Sequence, residues 1–212
     1  MHLNFAESES AFSYFTATTE YLHMHGKPVA FYSDKHSIFR ISNKNAVGGD
    51  GMTQFGRSLH ELNIDIICAN TPQAKGSVER ANRTLQDRLV KELRLAGVCN
   101  MDEANALLPI FMADYNSRFS KLPLNTKDLH RSLGSNEMLE DIFVWREERT
   151  VSACLTLQYD KVIFMLEPND VTRGLARKRV TVSDYPGKRI MISYNGLPLA
   201  YTIFDKVRQV DQ

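Results

Sequence analysis

Apolar residues recur at helical spacing near the start of the chain. Phe12, Phe15, Thr19 and Leu22 fall on one face of a helix that Ser8 can cap, with Glu9 in its positive first turn. Gly26 and Pro28 end it. The period then changes: Val29-Ala30-Phe31-Tyr32 is a continuous apolar run, the pattern of a strand covered on both faces, and Asp34 lies just past its end. Residues 42–51 are polar and glycine-rich and read as a loop. Thr53 opens a helix carrying Phe55, Leu59 and Leu62, although Gly56 weakens it. Ile64 to Cys68 forms a second short strand and Asn70 to Gly76 a loop. The helix from Ser77 to Leu95 sets a stripe of Val78, Ala81, Leu85, Leu89 and Leu93 apart from Arg80, Arg83, Lys91 and Arg94.

Asn100 and Glu103 have the form of a capping box opening a helix with Leu107, Leu108, Phe111, Met112 and Tyr115, which Pro109 kinks or delays. One or two short helices follow over 126–141, and Glu147-Glu148-Arg149 reads as a hydrophilic linker. Beyond Thr150 the pattern turns to short β-rich runs: Leu155–Tyr159, Val162–Leu166, Val180–Tyr185, Ile190–Tyr194 and Leu199–Phe204. Pro186-Gly187 and Asn195-Gly196 punctuate them, the latter as a hairpin turn. The elements predict an α/β domain over 1–149 and a small all-β barrel over 150–212.

A chain of 212 residues that is 43% hydrophobic can bury one good core and a second small domain without disulfides. It has no run of eighteen apolar residues and no pattern of a signal peptide, so a soluble cytoplasmic protein is expected. Its three cysteines lack Cys-x-x-Cys spacing, which argues for buried thiols rather than a disulfide framework or a zinc site. Formal net charge is only +1, but residues 150–212 hold nine Lys or Arg against six Asp or Glu, while residues 1–149 hold 17 against 19. The basic tail fits contact with a polyanion or an ordinary solvated surface.

Two carboxylates carry the candidate chemistry. Asp34 ends a strand and Glu79 opens a basic helix, where the positive helix terminus favours the ionised form that binds a hard cation. Taken alone, Glu79 also reads as one half of an i,i+4 pair with Arg83 on a solvated helix. Metal sites acting on phosphodiesters generally need a third carboxylate, and residues 1–33 contain no aspartate. Glu7, Glu9 and Glu20 are the nearby acids, read more simply as helix charges. His23 and His25 face different ways on a helix, and His36 is a candidate contact to a phosphate. Arg177, Lys178 and Arg179 precede one strand, and Lys188 and Arg189 the next, as cations able to meet a DNA backbone.

Four stretches resemble the catalytic core of DDE transposases and retroviral-type integrases, most closely bacterial insertion-sequence transposases of the ISNCY type. They are Phe31-Tyr32-Ser33-Asp34; Thr53-Gln54-Phe55-Gly56-Arg57; Ala74-Lys75-Gly76-Ser77-Val78-Glu79-Arg80-Ala81-Asn82-Arg83-Thr84-Leu85-Gln86; and Asp114-Tyr115-Asn116-Ser117-Arg118-Phe119. The Lys-Gly-x-Val-Glu-Arg-x-Asn core of the third is the most specific, and the resemblance runs through the basic tail.

The resemblance implies an RNase H-like integrase core followed by a small DNA-binding β-barrel. Asp34 matches the family's second aspartate and Glu79 its glutamate. Two Mg²⁺ or Mn²⁺ ions are implied, with DNA as partner through Lys75, Arg80, Arg83, Lys91, Arg177, Lys178 and Arg179. A homo-oligomer, or a hetero-oligomer with intact transposase, is implied as well. The family's first aspartate and first strands have no counterpart here, Leu3-Asn4-Phe5 matching the end of the third strand, and Ser77 stands where relatives often carry arginine. The expectation is therefore an N-terminally incomplete core, poorly soluble or dependent on a partner to fold and inactive alone. The alternative is a non-catalytic DNA-binding or oligomer-poisoning regulator.

Overall fold

The computed structural model describes residues 2–33, 37–39, 52–68, 72–120, 125–187 and 189–204. It divides into two compact units, Met1–Phe143 and Val144–Gln212.

In the first unit, α1 (Ala11–His25) is capped by Ser10 rather than by the expected Ser8. Ser13 N donates to Ser10 Oγ at 3.3 Å while Ser10 N donates to Ser13 Oγ at 3.0 Å, so a serine at the third helical position closes the capping box. Glu9 thus precedes the helix, and its carboxylate accepts from the Tyr14 hydroxyl. Gly26 terminates α1 with φ 78°, and a Cβ there would lie 2.7 Å from the Arg131 carbonyl oxygen. Only glycine meets both conditions. The buried face of α1 carries Phe15, Thr18 and Leu22. Phe15 packs against Phe55 and Phe143 at centroid distances of 6.4 and 5.8 Å, the aromatic centre of this unit.

Strands β1 (Ala30–Ser33) and β2 (Asp65–Cys68) pair in parallel, with Ala30 opposite Asp65 and Ser33 opposite Cys68. Among the described residues this sheet has two strands. Its faces differ. Phe31 packs on Tyr21 of α1, whereas Tyr32 and its register partner Ile67 are 51% and 50% exposed. The strand expected to be covered on both faces is therefore covered on one. Between the strands, α2 (Gln54–Glu61) starts at Thr53, whose hydroxyl accepts from Gly56 N at 3.0 Å. A Cβ on Gly56 would come within 3.1 Å of that hydroxyl, which gives the helical glycine a reason.

Helix α3 spans Pro72–Leu95, five residues more at its start than the sequence pattern indicates. Pro72 suits the first helical position because its fixed φ matches and its missing N–H is not needed there. The expected loop over Asn70 to Gly76 is thus helical from Pro72 onward. Helix α4 (Met101–Phe119) is capped by Asn100, with the Glu103 carboxylate accepting from Cys99 N at 2.9 Å, and Pro109 lies inside it. One turn earlier, Asn105 turns its amide to the N-terminal segment: Phe5 N donates to Asn105 Oδ1 at 2.8 Å, and Asn105 Nδ2 donates to Phe5 O at 3.1 Å. The stretch matched to a strand end thus has its backbone paired by a side-chain amide rather than by a ladder.

The connection after α4 binds back onto the unit. Lys27 and Arg131 form an isolated antiparallel bridge. The nearly buried Lys27 ammonium meets both oxygens of Glu137, at 2.5 and 2.6 Å. Of the short helices expected over 126–141, the structure has α5 (Leu139–Ile142).

The second unit is β-rich. The expected linker at Glu147 to Arg149 lies within β3 (Trp145–Thr150), which pairs along its length with β6 (Arg179–Tyr185). Charged residues are tolerated because Glu148 points to solvent, while Glu147 and Arg149, half-buried on the other face, pair with each other at 2.9 Å. One sheet has the order β3-β6-β7-β8, with β7 Arg189–Tyr194 and β8 Leu197–Leu199. The other has the order β4-β5-β9, with β4 Thr156–Tyr159, β5 Val162–Leu166 and β9 Tyr201–Ile203. A single turn, α6 (Asp170–Arg173), leads toward β6.

The single strand expected over Leu199–Phe204 is split at Ala200, so that β8 pairs with β7 while β9 pairs with β5. Among the described residues the ladders form two antiparallel sheets and do not close into the expected barrel. Between them lie Val151, Leu157, Phe164, Leu166, Leu175, Val182 and Ile192, all at most 3% exposed. Asn195-Gly196 makes the expected two-residue hairpin with φ 50° and 81°. Asp160-Lys161 makes a second one with φ 43° and 65°.

Candidate metal and nucleic-acid site

The parallel register brings the ends of β1 and β2 side by side. Ser33 and Cys68 are partners, with Ser33 Oγ 3.9 Å from Cys68 Sγ. The carboxyl ends of parallel strands are where α/β folds collect functional side chains. Asp34 follows Ser33 directly, but Asp34 and His36 lie outside the described residues. From the same end of β2 the chain re-enters the described structure at Pro72 as α3.

Glu79 is exposed, two turns into α3 and about 10 Å from its start. The helix dipole acts mainly within the first turn, so Glu79 lies beyond the reach of the positive terminus beside which sequence reasoning places it. Exposure alone keeps it hydrated and available. The i,i+4 pair with Arg83 is not formed; further along the helix Lys91 Nζ meets Asp87 Oδ1 at 2.5 Å, both side chains largely exposed. That contact and its hydrogen bond hold the Asp87 carboxyl below its usual range.

Helical geometry places Glu79, Arg83, Arg94, Arg80 and Lys91 within an arc of about 120°. All five are exposed. Lys75 is one turn before Glu79, its side chain outside the described set. On the opposite side Ala81, Leu85, Leu89 and Leu93 are half-buried. Arg88 sits 5.0 Å over the Phe119 ring at the end of α4, linking the two helices. In the same last turn Arg118 Nε donates to Asp114 Oδ1 at 2.8 Å, so the Asp114–Phe119 stretch closes α4 and seats it on α3.

The three consecutive cations of the second unit do not form one face. Arg177 is exposed in a left-handed turn with φ 64°. Lys178 Nζ lies 5.8 Å over the Tyr194 ring, and Arg179 meets Glu148 at 3.0 Å in solvent. Arg189 stacks 4.0 Å over Tyr185. Lys188 lies outside the described residues.

Cys99 and Cys154 are exposed and Cys68 half-buried, contrary to the expectation of buried thiols. Among the described residues no three His, Cys, Asp or Glu gather to hold a metal ion, and no helix is long and apolar enough to cross a membrane.

Two polar constellations escape sequence reasoning because their members are far apart in the chain. In one, His130 bridges Tyr21 and Asp128, with Tyr21 Oη 2.9 Å from Nε2 and Asp128 Oδ1 2.6 Å from Nδ1. Burial and then the Asp128 charge push the Tyr21 phenol up. In the other, the Tyr159 hydroxyl donates to Asp184 Oδ2 at 2.9 Å across the two sheets, and burial raises both groups.

No family model matches the chain. It is 54% identical over 211 residues, 99% of its length, to the protein named "Putative transposase y4bF" of Sinorhizobium fredii (strain NBRC 101917 / NGR234), of which it covers 46%. It is 36% identical over 117 residues, 54% of its length, to "Transposase for insertion sequence IS1202" of Streptococcus pneumoniae, of which it covers 25%. The chain thus spans about half the length of the first relative and a quarter of the second. Both relatives carry the name transposase, and it is to transposases that this chain is similar.

Proposed function

We propose that this chain is part of a DDE-type transposase with an RNase H-like core, acting in cleavage of transposon ends and their joining to target DNA. The carrying observation is the 54% identity over 99% of the chain to a relative named transposase. The parallel pair ending at Ser33 and Cys68 supports it, because Asp34 follows Ser33 in the sequence and α3 begins at Pro72, four residues after Cys68.

In this reading Asp34 and Glu79 hold divalent cations. Their carboxylate oxygens are the ligands Mg²⁺ prefers, and Glu79 stands in solvent without an ion pair among the described residues. Bound Mg²⁺ or Mn²⁺ supplies activation of a water or 3′-hydroxyl and stabilisation of the leaving oxygen. Arg80, Arg83 and Lys91, flanking Glu79 on the exposed arc, and Lys75 before it contact the DNA backbone. Arg177, Lys178 and Arg179 add contacts in the second unit, each needing only loose placement to neutralise a phosphate. DNA and further transposase chains are the partners, at the nucleoid.

Replacing the matched region of the Sinorhizobium fredii relative by this chain gives a protein in which the reading is testable. Joining of the element's terminal DNA in Mg²⁺ is expected, with a loss of at least about a hundredfold in Asp34→Ala and in Glu79→Ala. Equal joining by either variant would sink the assignment.

A further inference from the structure

Strands β1 and β2 are four residues each and carry apolar side chains on both faces: Phe31 packs on Tyr21, while Tyr32 and its partner Ile67 are half in water. Register is weakly specified where burial does not choose between faces. A slip by one residue moves a strand about 3.3 Å along its neighbour. The apolar pattern alone therefore does little to hold Ala30 opposite Asp65.

Arg131 spans the two strands just before they start. Its Nη2 donates to Asn63 O at 2.5 Å and, more weakly, to Pro28 O at 3.4 Å. These carbonyls stand two residues before Asp65 and Ala30, the first register partners, so a single nitrogen gauges the register itself. A one-residue slip is about as long as the hydrogen bonds concerned and carries one carbonyl out of reach of that nitrogen.

The segment around Arg131 holds it in place. Its backbone bridges to Lys27, with Lys27 N donating to Arg131 O at 2.8 Å and Arg131 N to Lys27 O at 2.9 Å. Gly26 leaves room for the Arg131 carbonyl. On one side His130 meets Tyr21 of α1, and on the other Glu137 closes on the Lys27 ammonium. The Nε of Arg131 is buried with no hydrogen-bond partner among the described residues. The guanidinium is thus seated for the two carbonyls even though a third bond goes unmade.

We propose that Arg131 is a positioning residue that sets the register of β1 on β2, and with it where the chain leaves the two strands toward Asp34 and α3. A strand slides as a unit, so a slip at Asn63 reappears at Cys68. Misplacement by about 1 Å between reacting groups is enough to cost about a hundredfold in rate. The link to chemistry rests on the metal-site reading above; the control of register does not.

Ser33 and Cys68 report the register at the far end. Their Oγ and Sγ lie 3.9 Å apart, so Ser33→Cys brings two thiols to disulfide distance, with Cys99→Ser and Cys154→Ser removing the exposed thiols. Oxidised glutathione is expected to close this bond at least about tenfold more slowly once Arg131→Met is added, at unchanged helicity by circular dichroism. Arg131→Lys, whose ammonium also has several donors, should recover part of the rate. Lys27→Met removes the ion pair with Glu137 but touches neither carbonyl, and should leave the rate as it is.

Hydrogen exchange at residues 30–33 and 65–68 reads the same loosening without an introduced thiol: about tenfold faster in Arg131→Met, with the second unit unchanged. In the chimera, Arg131→Met is expected to raise the Mg²⁺ concentration for half-maximal joining about tenfold while KM for DNA stays the same. The proposal is overturned by equal crosslinking and exchange in Arg131→Met, by a slowing that Lys27→Met reproduces, or by joining whose Mg²⁺ dependence ignores the variant. A chimera that joins no DNA with Arg131 in place sinks the metal-site reading instead, while crosslinking and exchange still decide whether Arg131 sets the register.

Discussion

The two units solve the problem of building a sheet in opposite ways. In the second, every strand among the described residues finds an antiparallel partner: β4 with β5 and β7 with β8 through two-residue turns, β6 with β7 through a short loop, and β3 with β6 and β5 with β9 across longer stretches of chain. Ten buried residues fill the space between the sheets. In the first, two strands separated by α2 meet in parallel, and the exposed face of that pair is left half in water. Hairpins let an antiparallel unit build most of its ladders from neighbouring sequence, while a parallel pair always needs a crossover and so depends on the elements that lie between and over its strands.

The largest expected effects probe the two cores. Phe164→Ala in the second unit and Phe15→Ala in the first should each cost about 3–5 kcal/mol, since both rings are almost wholly buried. Hydrogen exchange should place the first loss at β4, β5 and β9 and the second at α1 and α2. If Phe15→Ala is nearly silent, the aromatic centre formed with Phe55 and Phe143 does not hold the first unit together.

A smaller effect, about 2–3 kcal/mol, is expected for Lys27→Met, which leaves the Glu137 carboxylate without its cation. The hydrogen bond from Lys27, followed by that from Gly134 N, holds the Glu137 carboxyl below its ordinary 4.5. A depressed acid contributes stability that is present above its ordinary value and lost as pH falls through the folded one. Acid titration of the first unit, followed by circular dichroism, should therefore show a loss below about pH 4.5 that Glu137→Gln removes.

The smallest effect has the opposite sign. Burial raises Asp184 above its ordinary 3.8, so the folded state holds a proton that the unfolded state has released. Its contribution falls as pH rises from that value through the folded one. Asp184→Asn keeps an acceptor for the Tyr159 hydroxyl and should flatten this slope, with a gain of less than about 1 kcal/mol at neutral pH because the group is partly in solvent. Opposite acid slopes in the two units would sharpen the contrast; a common slope would break it.

Much of the fold was legible in local pattern. The helix around Phe15 and Leu22, the strands of the tail and the turn at Asn195-Gly196 follow from period and turn chemistry, which act over a few residues. The errors fall where neighbours decide. Ser8 and Ser10 can both cap a helix, and Ser13 at the third helical position selects Ser10 by closing the box. Glu147 to Arg149 look like a linker because they are charged, and pairing with β6 overrides their poor β propensity. Pro72 starts α3 early, which moves Glu79 away from the helix terminus. Of the candidate site, the residues of the specific motif were readable, and the exposed arc around Glu79 follows from helix geometry.

By itself the sequence determined the type and order of most elements, the positions of the candidate carboxylates and cations, and the likeness to transposases. These depend on side-chain chemistry and short-range periodicity. The tertiary structure alone decided that the tail makes two sheets instead of a closed barrel, that His130 joins Tyr21 to Asp128, and that one face of the parallel pair stays open. Each of those depends on pairing between residues far apart in the chain, where the free energy comes from partners that no local pattern names.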